Sequence, residues 1–172
     1  MAFGINIRAY GDAAPYWDLV NRVSALESVP SMRSLGYPPH LTLAKYDALD
    51  DAHLRTGLDA LGEFPKLTLT FDRMGRFGPG PLILWVAPRP DAALDEMYAR
   101  VHAAIDPSRC RPAYRPGAWV PHCSIALQVD ENNRDLAHRM AQEPITPFSL
   151  TFDVADCVSS PPVSIIAERL LR

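Results

Sequence analysis

The chain carries one short pattern twice, centred on histidines 82 residues apart at His40 and His122, and the match extends well beyond them. Arg33, Tyr37, Pro39, His40, Thr42, Leu43 and Ala44 align with Arg115, Trp119, Pro121, His122, Ser124, Ile125 and Ala126. A solitary His-x-Ser/Thr says little. Two in matched surroundings indicate an internally duplicated chain that presents one imidazole and one hydroxyl from each half. A repeat of roughly 20–50 residues would suggest a solenoid; one longer duplication suggests two lobes related by a pseudo-twofold.

The spacing acquires meaning on β-strands, where residues i and i+2 share a face. His40 and Thr42 then look out together, with Leu41 and Leu43 turned into a core. His122 and Ser124 do the same, backed by Cys123 and Ile125. Pro39 and Pro121 stand just before the strands, where a missing N–H costs least. Elsewhere, periodicity predicts a strand over 3–10 and a helix from 12 towards 30. A helix opened by Asp50 and Asp51 carries Leu54, Leu58 and Leu61 inward. A strand over 66–73, a turn-rich link over 75–81 and an apolar strand over 82–87 follow. The second half predicts a helix over 91–105, a basic loop over 107–117, the second motif strand and a helix marked by Leu136 and Met140. Strands over 148–153 and 163–171 complete it. Leu69-Thr70-Phe71-Asp72 recurs as Leu150-Thr151-Phe152-Asp153. No cuttable boundary is visible, so the expectation is one bilobal domain over 1–172.

Composition sets limits on partners. A formal charge of −3 over 172 residues excludes a protein that coats nucleic acid through a broad basic surface. A nucleotide, or an RNA end held in a local pocket, stays compatible. The longest apolar run, 81–88, is too short to span a bilayer, and the first ten residues do not read as a signal peptide. Cys110, Cys123 and Cys157 form no Cys-x-x-Cys pattern. The expectation is a reduced, cytoplasmic monomer without a membrane partner.

Rival chemistries lack their spacing. No His-x-x-His, His-x-x-x-His or His-Glu-x-x-His occurs, so no metal is expected. Cys123 and His122, adjacent on a strand, point to opposite faces and make no dyad. The glycines over 75–80 lack the lysine of a phosphate loop. His53, His102 and His138 fall on predicted helices without matching neighbours and read as solvated surface positions. Two facing imidazoles suit proton transfer at phosphorus, one taking a proton and the other, protonated, supplying one. Thr42 and Ser124 can donate to non-bridging oxygens as charge develops, and no cofactor is required. Arg33 and Arg115 are candidate anion contacts; Tyr37 and Trp119 are candidate base-stacking platforms. Arg109, Arg111 and Arg115 make the loop before the second motif basic.

The paired motifs resemble those of the two-histidine (2H) phosphoesterase superfamily, whose signature is two His-x-Thr/Ser-x tetrads, here 40–43 and 122–125. The match is nearest to the 2′-5′ RNA ligase-like, or RNA 2′,3′-cyclic phosphodiesterase, branch. Pro39 to Leu43, Phe77 with Leu82 to Val86, and Pro121 to Ala126 carry that similarity. The resemblance implies a bilobal α+β fold, each lobe an antiparallel β-sheet backed by helices, around a central cleft. It also implies metal-independent hydrolysis of cyclic phosphodiesters by His40 and His122, with a nucleotide or RNA 3′-end as partner. Which histidine is base and which acid stays open. The same site in reverse would join a 5′-hydroxyl in a 2′-5′ linkage. Alternatives are a small ADP-ribose-type cyclic phosphate as substrate, or a non-catalytic nucleotide-binding module of the same fold. The RNA branch often has Arg just after the second tetrad, where this chain has Ala126, Leu127 and Gln128.

Overall fold

A computed structural model describes residues 1–172. The chain runs β1 (Ala2–Arg8), α1 (Ala14–Val23), α2 (Ser31–Ser34), β2 (His40–Tyr46), α3 (Asp51–Asp59), β3 (Leu67–Phe77) and β4 (Leu82–Pro88). It continues through α4 (Ala92–Ala104), β5 (Cys123–Val129), α5 (Arg134–Met140), β6 (Phe148–Phe152), β7 (Val154–Ser160) and β8 (Ser164–Leu170). One antiparallel sheet has the order β2-β1-β7-β8 and the other β5-β4-β3-β6. This is the expected bilobal α+β architecture, with one refinement. Each sheet takes two strands from each half of the sequence, so the lobes are not the halves.

The exchange happens at the repeated Leu-Thr-Phe-Asp stretches. β3 and β6 lie side by side with Leu69 opposite Leu150 and Thr68 opposite Thr151. Asp153 alone separates β6 from β7, and there the chain passes from one sheet to the other. The crossover helices are exchanged too: α1, which joins β1 to β2, packs on β5, while α4, which joins β4 to β5, packs on β2. Both sheets therefore share one contiguous apolar cluster.

Local chemistry explains the helix ends. The Asp50 carboxylate accepts from the His53 N–H and starts α3, and Asp91 accepts from Ala93 and Leu94 to start α4. On α4 the buried face is Leu94, Met97 and Val101, at helical spacing. No helix is long and apolar enough to cross a membrane.

Three expectations are corrected. β3 runs on to Phe77 where a turn-rich link was expected, because Gly75 lies opposite Trp85 and its bare Cα receives the indole. A Cβ there would overlap the ring. β7 occupies a stretch where no element was expected. It lies between β1 and β8, and its residues from Val154 to Val158 are all buried, so it shows no polar alternation to read. His102 is buried, not solvated: α4 packs on β2, and its Nε2 lies 3.4 Å from the Leu43 carbonyl.

Candidate active site

β2 and β5 are the edge strands of the two sheets, and they approach within 8 Å between Cα atoms. A cavity of about 430 Å³ opens between the lobes; Tyr37, His40 and Thr42 line it from one side, and Trp119, His122 and Ser124 from the other. Leu41, Leu43 and Cys123 are fully buried behind the motif residues and Ile125 nearly so. Alternation along each strand thus separates site from core.

Each imidazole is fixed by the same device. Nδ1 of His40 lies 2.9 Å from the carbonyl of Pro38, and Nδ1 of His122 lies 2.7 Å from that of Val120. A carbonyl only accepts, so Nδ1 carries the proton and donates it, which leaves Nε2 with the lone pair of the neutral ring. Aromatic edges complete the seats: Tyr37 stands 4.7 Å from His40 between ring centroids, and Phe77 stands 4.8 Å from His122. Burial pushes His40 down to about 4, opposed by the Pro38 carbonyl and assisted by the charges of His122 and Lys45. Burial also lowers His122, with the Val120 carbonyl opposing and Lys45 assisting. Both rings are held neutral near pH 7.

The hydroxyls differ. Thr42 donates to Asn6 Oδ1 at 2.8 Å, and the Asn6 amide donates to Asp156 at 3.2 Å. Asp156 is fully buried and also receives the Tyr37 hydroxyl at 2.6 Å and Arg8 Nε at 2.7 Å. Arg8 reaches on to Glu168. Ser124 stands opposite Trp85 and has no such network behind it; its carbonyl accepts from Tyr16 at 2.6 Å.

Both motif strands carry a bulge at the same place. Asn6 pairs with Thr42 and Ile5 with Ala44, so Leu43 is an extra residue. Trp85 pairs with Ser124 and Leu84 with Ala126, so Ile125 is its counterpart. A bulge resets the alternation. Lys45 and Leu127, otherwise out of phase, thereby rejoin the cavity face.

Two expected contacts do not reach the cavity. Arg33, on α2, turns to α1, where it donates to Asn21 at 3.0 Å and lies over Trp17 at 4.2 Å. Arg115 donates to the carbonyls of Cys110 and Ser108 and braces its own loop. Tyr37 spends its hydroxyl on Asp156, and Trp119 donates Nε1 to the Thr42 carbonyl while stacking on Tyr98 at 4.1 Å. The cations that do line the cavity are Lys45 and Arg111, and no carboxylate lines it. Pattern matching missed Lys45 because only a bulge brings position +5 to the histidine face, and missed Asn6 because its role depends on β1 pairing with β2. No group of three or more His, Cys, Asp or Glu side chains stands together as a metal site, and burial raises all three thiols, leaving them unreactive.

The sequence pattern of the 2′-5′ RNA ligase superfamily matches residues 16–160. No curated protein matches the chain in sequence. Among solved structures, Escherichia coli LigT complexed with 3′-AMP superposes with a TM-score of 0.65 at 15% identity, covering 98% of this chain and 97% of that one. E. coli LigT in apo form gives 0.63 at 16% identity, with 99% and 96% covered. TT0787 of Thermus thermophilus gives 0.62 at 13% identity, with 100% and 98% covered.

Proposed function

The chain belongs to the 2′-5′ RNA ligase superfamily, and from that premise we propose that it is a phosphoesterase that opens 2′,3′-cyclic phosphates, on RNA ends or nucleotides, to monoesters. One observation carries the reading: two imidazoles from two sheets, each with Nδ1 tied to a backbone carbonyl, line one cavity with a hydroxyl beside each. E. coli LigT has been solved with 3′-AMP, with ATP and with NADP+, and the same class of ligand suits this cavity.

In the reaction, Nε2 of one histidine takes a proton from water as the water oxygen bonds to phosphorus. The bond from phosphorus to one ribose oxygen breaks, and Nε2 of the other histidine, protonated, gives that oxygen its proton. Ser124 donates to a non-bridging oxygen; Thr42 does so by turning its proton from Asn6 to the phosphate. The acid must be charged, yet burial and Lys45 keep both rings neutral. The substrate's own negative charge supplies the missing support, because a nearby anion favours imidazolium. Binding of the phosphate and uptake of a proton are thereby coupled. A 5′-hydroxyl in place of water gives the reverse reaction, a 2′-5′ ligation.

Phosphorus NMR of adenosine 2′,3′-cyclic phosphate, and of an oligonucleotide with a cyclic end, tests the reading. Conversion to monoester, insensitive to chelator and bell-shaped in pH, is expected. Failure to open either compound contradicts it.

A further inference from the structure

The cavity extends past the histidines along β2 and β1, and the charged side chains that line it there are both cationic. Lys45 and Arg111 line this end together with Ala2, Phe3 and Gly4. Lys45 is half-buried, yet its ammonium forms no ion pair, whereas its neighbour Arg111 pairs with Asp47. Burial, followed by the Arg111 charge, lowers its pKa, with the nearby Asp47 carboxylate opposing. A half-buried cation without a directly paired carboxylate is costly, and its place in the duplication is informative. Its counterpart across the pseudo-twofold is Leu127, so nothing in the shared backbone design demands a charge at this position.

The main chain of Lys45 is clamped. Its N–H points to Cys110 Sγ at 3.4 Å, and its carbonyl accepts from the Arg111 N–H at 2.7 Å. Arg111 is in turn braced by Asp47, at 2.7 Å from Nε. The two cations are therefore held side by side by backbone pairing, not by chance side-chain positions. Lys45 pairs with Gly4 and Thr42 with Asn6, two residues apart on β1; at ~3.4 Å per residue this sets Lys45 roughly 7 Å beyond Thr42. The phosphoryl group between the imidazoles already has two hydroxyls for its oxygens. A cation this far along the strand serves a different group of the same ligand.

We infer that Lys45 and Arg111 form a second anion subsite, which selects substrates carrying a further phosphate besides the cyclic one. This rests on the phosphoesterase reading and narrows its substrate class to cyclic phosphates of nucleotides that keep a 5′-phosphate or pyrophosphate. The apolar walls given by Phe3, Ala113 and Val163 suit the uncharged part of such a ligand.

The test compares adenosine 2′,3′-cyclic phosphate with its 5′-phosphorylated form, in the full chain and in Lys45→Met and Lys45→Arg. The 5′-phosphorylated compound is expected to have at least a tenfold higher kcat/KM. That ratio is expected to fall towards one in Lys45→Met and to return largely in Lys45→Arg. Equal losses on both compounds, with the ratio unchanged, overturn the subsite and assign Lys45 to the reacting phosphate. Calorimetry with adenosine 3′,5′-bisphosphate against 3′-AMP reads the subsite without turnover. Tenfold tighter binding of the bisphosphate, lost in Lys45→Met, supports it even if neither cyclic compound is opened. Equal affinities contradict it, whatever the fate of the proposed reaction.

Discussion

The His40 half and the His122 half share a backbone and differ in what surrounds it. Each has the proline, the Nδ1–carbonyl tie two residues back, the hydroxyl two residues on and the bulge that turns position +5 to the cavity. Around His40 the support is polar: Asn6, Arg8, Tyr37 and Asp156 form a buried network, and Lys45 adds a cation. Around His122 it is apolar: Phe77 and Trp85 flank the ring, and Leu127 takes the place of the lysine. Duplication supplies two similarly seated imidazoles. Divergence of their walls makes one side of the cavity polar and cationic and the other hydrophobic.

The largest expected effect leaves the halves equal. His40→Ala and His122→Ala should each lower kcat on a cyclic phosphate by on the order of 10³–10⁴-fold, since in the proposed reaction each transfers one of the two protons. Steady-state kinetics checks this, and near-normal turnover in both variants would falsify the two-histidine reading.

Removing the network beneath one half should separate them. Asp156→Ala leaves the buried Arg8 guanidinium only the exposed Glu168 as a partner and should cost up to about 3–5 kcal/mol in denaturant unfolding. No single side chain behind His122 holds a comparable charge.

The hydroxyls sharpen the contrast. Ser124→Ala should lower kcat about 10²-fold while moving stability by less than about 0.5 kcal/mol. Thr42→Val should lower kcat too, and it should also cost about 1–3 kcal/mol, because Asn6 Oδ1 loses its donor. Matching stability losses in the two variants would erase the asymmetry.

On the apolar side, Gly75→Ala drives a methyl into Trp85 and should destabilise by about 1–3 kcal/mol. Its effect on turnover should come through His122, whose ring lies 6.0 Å from that indole.

The last expectation concerns acid. His40 sits near 4 in the folded chain, and His122 is shifted in the same direction; the unfolded value is about 6.5. As pH falls the unfolded chain binds protons first, so this part of the stability, full above about pH 6.5, is lost towards pH 4. Thermal melts should show Tm falling across that window, with a shallower slope in His40→Gln.

Much of this was legible in the residues. Strand alternation placed Leu41, Leu43, Cys123 and Ile125 behind the motif side chains, and Asp50 and Asp91 marked helix starts. What escaped depends on partners remote in sequence. β7 is buried on both faces, so it lacks a polar period. Arg33 and Arg115 match in spacing, but Asn21 captures one and the Cys110 and Ser108 carbonyls capture the other. Lys45 reaches the cavity only through a bulge, and the exchange of strands between lobes is visible only in the β3–β6 and β1–β7 ladders.

Long-range proton–nitrogen NMR of the histidine rings, followed while 3′-AMP is added, tests the central claim most directly. One equivalent should shift the Nε2 signals of both His40 and His122 along a single saturation curve, with exposed His53 unmoved. A response from only one of the two rings, or two distinct affinities, would contradict a shared phosphoryl site.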